Sequence, residues 1–357
     1  MRLVLPRVAV YLAATSALLR AAPLAAQRPA GASPDVTRAA FLQTIRRPSA
    51  PLAPSAPIRR TDEGHVIEHL TIASEPGERV PLVIYARSGV SGPQPVVVVL
   101  HGTGGNKEGM EGQLATLADR GYLAVAMDAR HHGGRATPIP GLSNPYESAM
   151  LRAYRTGEGH PYLYDTVWDV MRLIDYLVTR GDVDATRIGV IGLSKGGTEA
   201  YLAAAADPRI ACVVPLIGVQ SFGWSLQHAA AWEARVWTFR GAVEAAAALG
   251  QERVTTAFVK RFYERIAPGL VDQFDGPAML PLIAPRALLV VNSDSDPRSP
   301  MGGVREAASA AERAYQAAGA AGRFQLLVQK DAAHEVTAEA AETMLQWLDR
   351  WLRPPRR

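Results

Sequence analysis

The sequence predicts an α/β protein with a mostly parallel, eight-stranded sheet flanked by helices and a helical insertion late in the chain. Three observations carry that expectation. Hydrophobic runs of strand length alternate with helix-length patterns, the rhythm of parallel strands joined by crossover helices. Runs such as Val96-Val97-Val98-Val99-Leu100 are continuously apolar, as strands buried on both faces require. The pentapeptide Gly192-Leu193-Ser194-Lys195-Gly196 joins one such run to a helical pattern through a sharp turn that only small neighbours tolerate.

The chain begins with Arg2 and Arg7, an apolar stretch from Val8 to Leu19, and a small-residue segment from Ala21 to Gln27. This pattern reads as a secretory leader over residues 1–26 with cleavage near Ala26, which predicts a periplasmic or secreted product. The apolar part stops at Arg20, short of the roughly 20 residues that cross a bilayer, so no stable membrane anchor is expected. In segment 27–57, Ser33-Pro34 caps a short helix through Arg47, and Pro48 to Pro57 forms a Pro/Ala/Ser linker. The main domain is expected over 58–357.

Within it, strand-like runs fall at Val66 to Ile72, Val80 to Ala86, Val96 to Leu100, Leu123 to Met127, Ile188 to Ile191, Cys212 to Ile217, Ala287 to Val291 and Phe324 to Val328. The first two alternate apolar with polar residues and fit an antiparallel edge pair. Helical patterns cover Gly112 to Arg120, Tyr164 to Arg180, Thr198 to Ala206, Val304 to Ala318 and Ala338 to Leu352. One interval, 220–280, holds no strand pattern but contains Trp224, Trp232, Trp237, Phe222, Phe239, Phe258 and Phe262. It reads as a helical cap over the sheet's functional edge, its rings either walling a pocket or packing among themselves.

The formal charge of +4 comes from scattered arginines, without a basic block interleaved with aromatics, which argues against nucleic-acid binding. Cys212 is the single cysteine, so no intramolecular disulfide can form, and its apolar neighbours mark an inert core thiol. Lys195 and the nearby arginines read as solvated surface charge, with attraction of an acidic substrate as the alternative. The oligomeric state is left open.

In open α/β sheets, ligands bind at the carboxyl ends of the strands. Ser194 stands at such an end. A serine hydroxyl attacks only when a base takes its proton, and that base needs an acid to hold its tautomer. His334, in the loop after the last strand run, is the best-placed base. The loop Asn292-Ser293-Asp294-Ser295-Asp296-Pro297 offers two acids, and Pro297 favours Asp296 by holding it extended, with Asp294 the other choice. After the most hydrophobic strand, His101-Gly102-Thr103-Gly104-Gly105-Asn106 can bring backbone N–H groups close to a substrate oxygen. The amides of Thr103 and Lys195 would form an oxyanion hole, with Gly104 as the next choice. His101, Gly104, His132 and Trp224 are candidate pocket residues. The pair His131-His132 has no third ligand at metal-binding spacing, so no metal site is read there.

With Ser194, Asp296 and His334 in that order, the chain resembles the α/β-hydrolase superfamily from about Ile58 to Leu352. The His101-Gly102-Thr103-Gly104-Gly105 loop, the Asp182-Val183-Asp184 lead-in and Ser194-Lys195-Gly196-Gly197 are most similar to its dienelactone hydrolase-like and acetyl xylan esterase-like branch. The resemblance implies an α/β-hydrolase fold and a serine esterase that takes a small-molecule ester through an acyl-enzyme, with neither metal nor organic cofactor. Dienelactone hydrolases proper use cysteine where Ser194 stands. The same constellation suits a prolyl oligopeptidase-like peptidase or amidase, although no propeller-length domain precedes Ile58. A non-catalytic protein keeping the fold is a reading from another class.

Overall fold

The computed structural model describes residues 33–137, 144–228, 232–233 and 236–353, and the leader with its cleavage point lies outside them. The sheet has nine strands rather than eight: β1 (Ile58–Asp62), β2 (His65–Glu75), β3 (Glu78–Arg87), β4 (Gln94–Leu100), β5 (Leu123–Met127), β6 (Val183–Leu193), β7 (Ile210–Leu216), β8 (Ala287–Ser293) and β9 (Phe324–Gln329). Their order is β1-β2-β3-β5-β4-β6-β7-β8-β9. The strands β1, β2, β3 and β5 pair antiparallel, and every pairing from β5 through β4 to β9 is parallel. The additional strand is β1, outside the expected antiparallel pair. All five of its residues are exposed, so Ile-Arg-Arg-Thr-Asp has no buried face and no alternation to read. Its arginines also make a poor template for edge-to-edge pairing.

The apolar run in β4 behaves as its sequence requires. Val96, Val98 and Leu100 enter the core on one face, while Val97 and Val99 enter the core on the other. Neighbouring β5 lies on one side of β4 and β6 on the other, so consecutive crossovers leave in opposite directions. That reversal opens a crevice between the loops following β4 and β6.

The helices are α1 (Pro34–Ile45), α2 (Glu111–Asp119), α3 (Pro145–Thr156), α4 (Tyr164–Leu177), α5 (Lys195–Ala206), α6 (Phe222–Gln227), α7 (Val236–Ala248), α8 (Thr256–Ile266), α9 (Gly276–Met279), α10 (Met301–Ala317) and α11 (Ala338–Leu352). All twelve residues of α5 are buried, as befits a helix crossing the middle of the sheet. Helix α1 starts where Ser33 Oγ accepts from the Val36 N–H at 3.4 Å. It packs into the main core: Phe41 is fully buried, its ring 5.2 Å from Tyr164 and 5.1 Å from Phe274. Arg38 ties it further by donating to the carbonyls of Ala205 at 2.9 Å and Leu282 at 2.7 Å.

Helix α3 falls in an interval where the sequence reading placed none. Its end signals are present, however. Asn144 accepts from the Tyr146 and Glu147 amides, Pro145 occupies the first turn, and Gly157 closes the helix at φ 75°. The described part of 220–280 is helical, in α6 through α9. Asp275 joins the two ends of this insertion, its carboxylate accepting from Ser221 Oγ, Phe222 N and Gly223 N at 2.9 Å each and from Gly276 N at 2.7 Å. Phe222, Phe258 and Phe262 are buried in the core. Among the described residues, no helix is long and apolar enough to cross a membrane.

Candidate active site

Ser194 sits between the end of β6 and the first turn of α5 at φ 55° and ψ −114°. A left-handed φ is strained for a residue with a Cβ, and the neighbours show why it is held. A Cβ on Gly192 would lie 2.1 Å from the Gly196 carbonyl oxygen, and one on Gly196 would lie 2.4 Å from the Leu100 oxygen. Only glycine lets the elbow close this tightly against itself and against β4. The Ser194 N–H is anchored to the Leu216 carbonyl at 2.8 Å.

The loops after β8 and β9 bring two side chains to this elbow. His334 Nε2 lies 2.7 Å from Ser194 Oγ, and His334 Nδ1 lies 2.7 Å from Asp296 Oδ2. The Asp296 side chain is fully buried and its Oδ1 accepts from the Arg298 N–H at 2.8 Å. An ionised carboxylate only accepts, so Nδ1 carries the proton and Nε2 is left as the acceptor for the serine hydroxyl. Asp294 is exposed and accepts from Ser295 Oγ at 3.0 Å.

The histidine loop is held by a residue that sequence reasoning missed. Buried Gln329, at the end of β9, donates to Ser293 Oγ at 2.7 Å and to the Glu335 carbonyl at 2.9 Å. Its amide oxygen accepts from the Thr337 N–H at 2.7 Å. A glutamine ending an apolar strand resembles an ordinary surface residue in one dimension, so no local signal marks it.

Beside Ser194 lies a cavity of about 460 Å³. Its lining includes Gly102, Thr103, Leu193, Ser194, Lys195 and His334, together with Tyr146, Tyr162, Leu163, Ile217, Arg298 and Val336. A Cβ on Gly102 would touch the Leu193 carbonyl at 3.4 Å and Ser194 Cβ at 3.6 Å, so the loop after β4 runs directly against the elbow. The first N–H groups of α5, beginning with Lys195, have no intrahelical acceptors and sit at the positive end of that helix.

Other expected pocket residues are placed differently. His101 is buried behind the loop: Nδ1 donates to the Gly102 carbonyl at 2.8 Å and Nε2 accepts from the Ala129 N–H at 3.1 Å. His132 is also buried, packed 5.1 Å from the His101 ring and 4.7 Å from Tyr146. Burial, followed by the nearby Lys195 charge, pushes His101 down to about 4 and His132 down to about 2. Neither ring lines the cavity. Gly104, at φ 78°, is outside the lining. Trp224 stacks on His228 at 3.7 Å and packs over Gly302 at the start of α10.

Among the described residues, none from 220–280 lines the cavity. Its aromatic walls come from Tyr146 on α3 and Tyr162 before α4. Lys195 is neither solvated surface charge nor free in the pocket, because its Nζ meets Glu199 Oε1 at 2.6 Å in a buried pair. The helical spacing of these two residues, four apart, was the available clue.

A strained serine elbow backed by histidine and aspartate loops, on this strand order, defines an α/β-hydrolase. A family model described as acetyl xylan esterase (AXE1) matches residues 59–222, and one described as glucuronyl esterase, fungi, matches residues 149–319. A protein of Bacillus subtilis (strain 168) described as "Putative hydrolase YtaP" is 24% identical over 303 residues, covering 81% of this chain and 89% of that protein. The 4-O-methyl-glucuronoyl methylesterase 1 of Sodiomyces alcalophilus is 31% identical over 155 residues, 42% of this chain and 30% of that one. The acetyl xylan esterase from Paenibacillus sp. R4 shares the fold with a TM-score of 0.65 at 22% identity, over 89% of this chain and 93% of its own. The chain has the α/β-hydrolase fold, is similar over part of its length to acetyl xylan and glucuronyl esterases, and is a carboxylic ester hydrolase.

Proposed function

We propose that the protein is an exported serine esterase that cleaves a carboxylic ester of a carbohydrate through a covalent acyl-enzyme on Ser194. The observation that carries the mechanism is the hydrogen-bonded chain from Asp296 through His334 to Ser194, with both links at 2.7 Å. His334 Nε2 takes the hydroxyl proton as Ser194 Oγ attacks the ester carbonyl, and the Asp296 carboxylate stabilises the resulting imidazolium. The amides of Thr103 and Lys195 receive the developing oxyanion. His334 then returns the proton to the leaving alkoxide, and a water activated by the same nitrogen releases the acid.

The carbohydrate assignment draws on the acetyl xylan and glucuronoyl esterases among the relatives. A cavity of about 460 Å³ with two tyrosines and several polar groups is also large enough for a small-molecule substrate. Export follows from the leader read over residues 1–26.

The test is a panel of p-nitrophenyl acetate, acetylated xylo-oligosaccharide, a methyl glucuronoate and an aminoacyl p-nitroanilide, run on the native enzyme and Ser194→Ala. Hydrolysis of sugar esters ahead of the anilide, abolished in Ser194→Ala together with fluorophosphonate labelling, is the expected result. Undiminished turnover in Ser194→Ala overturns the mechanism, and preference for the anilide overturns the substrate class. Recovery of the exported protein with an N-terminus near Gln27 checks the leader.

A further inference from the structure

The loop after β4, which carries Thr103, is fastened at both ends to the loop after β5, and the second fastening centres on Asp128. This residue follows the last position of β5 and is fully buried. Its Oδ1 accepts from the Lys107 N–H at 2.9 Å, and its Oδ2 accepts from Lys107 Nζ at 3.0 Å and from the Gly134 N–H at 2.9 Å. The Gly133 backbone is folded onto the same carboxylate: at φ 53°, a Cβ there would lie 2.3 Å from Oδ1. At the other end, His101 Nε2 accepts from the Ala129 N–H at 3.1 Å. The segment from Gly102 to Asn106 therefore spans two anchors on one neighbouring loop.

The anchors differ in kind. His101 offers one neutral acceptor, whereas Asp128 receives a backbone amide and an ammonium from the same lysine. Burial pulls the Lys107 ammonium down, but its bonds to Glu108 and Asp128 outweigh that and leave it raised, so the lysine stays charged. Such charge-assisted bonds are about twice as strong as neutral ones. Glycines at 102, 104 and 105 give the loop little stiffness of its own.

We infer that Asp128 is a positioning residue for the oxyanion site, acting through Lys107 on the placement of the Thr103 amide. This rests on the esterase reading above. Because an oxyanion donor matters chiefly when charge has formed on the substrate oxygen, Asp128 should influence the tetrahedral state far more than ground-state binding.

The test uses the full-length enzyme and the variants Asp128→Asn, Lys107→Met and Lys107→Arg. Each is assayed with p-nitrophenyl acetate and titrated with an aryl boronic acid, which forms a tetrahedral adduct on an activated serine. For Asp128→Asn and Lys107→Met, kcat should fall roughly 10- to 100-fold, KM should stay within about twofold, and the boronate inhibition constant should rise by a factor close to the loss in kcat. Lys107→Arg, which keeps a cationic donor, should recover most of both quantities. Lys107→Met keeps the Asp128 bonds to two backbone amides, so it carries the test if Asp128→Asn does not fold. Unchanged kcat, or a kcat loss with native boronate affinity, overturns the inference. A native enzyme that neither turns over esters nor binds the boronate overturns the esterase reading instead.

Discussion

Replacing Gly196 with alanine probes whether the serine elbow and the loop after β4 form one rigid unit. The added Cβ would lie 2.4 Å from the Leu100 carbonyl oxygen and 2.7 Å from that of His101, about 1 Å inside the ordinary contact distance of 3.4 Å. All the nearest atoms are backbone of β4 and its exit, so no side chain can rotate away. Overpacking of this kind costs about 1–3 kcal/mol. With an unfolding entropy of about 2.1 cal/mol/K per residue over the described chain, that lowers Tm by only about 2–5 °C. Activity should respond much more. Relief of the clash moves Ser194 relative to Thr103 by about 1 Å, and misplacement on that scale costs on the order of 100-fold in rate. Steady-state hydrolysis of p-nitrophenyl acetate and a thermal melt, run on the same preparation, measure both effects. A Gly196→Ala enzyme with the expected small fall in Tm and kcat within threefold of native would refute the rigid coupling.

Three further outcomes follow from the geometry. Asp296→Asn should cut kcat by about 10⁴-fold because it favours the wrong histidine tautomer, while Asp294→Asn should leave kcat near native; equal losses would refute the assignment. His101 and His132 stay neutral to about 4 and about 2 in the folded protein, whereas an unfolded histidine takes a proton near 6.5. At these two sites the unfolded state therefore binds more protons below 6.5, and their contribution to stability falls as pH drops from 6.5 toward 4, by about 3 kcal/mol from His101 alone, while Asp275, pushed up to about 7 by burial, acts in the opposite direction. Urea midpoints of the native protein and His101→Gln, each at pH 7 and pH 4.5, isolate the histidine contribution, and the same pH dependence in both would contradict it. Phe41→Ala removes a fully buried ring from between Tyr164 and Phe274, so it should cost about 3–5 kcal/mol in urea unfolding while leaving kcat near native. A loss under 1 kcal/mol would mean that α1 is not part of the cooperative core.

Much of the fold was legible in one dimension because burial on both faces leaves an unbroken apolar run, as in Val96 to Leu100; the expected alternation over Val80 to Ala86 does not hold, since Val80, Leu82 and Ile84 enter one core and Val83 and Tyr85 the other. The strand that escaped, β1, has only exposed residues and so carries no such record. Helix α3 escaped for another reason: Asn144-Pro145 and Gly157 mark its ends, but the reading relied on apolar periodicity rather than capping.

The sequence by itself determined the alternation of strand and helix, the elbow at Ser194 and the choice of His334 as its partner. These follow from local physics: burial period, the steric demand of a tight turn, and the placement of loops at strand carboxyl ends. Tertiary structure alone decided which acid reaches His334. Asp294 and Asp296 are two residues apart in one loop, and only the hydrogen bond at 2.7 Å separates them. It also decided the cavity walls, which among the described residues come from Tyr146 and Tyr162 rather than from the Trp-rich insertion, and the pairing of Lys195 with Glu199. Such outcomes depend on distances between segments far apart in the chain, and on whether a ring is consumed by packing before it can face a ligand. No local pattern encodes either.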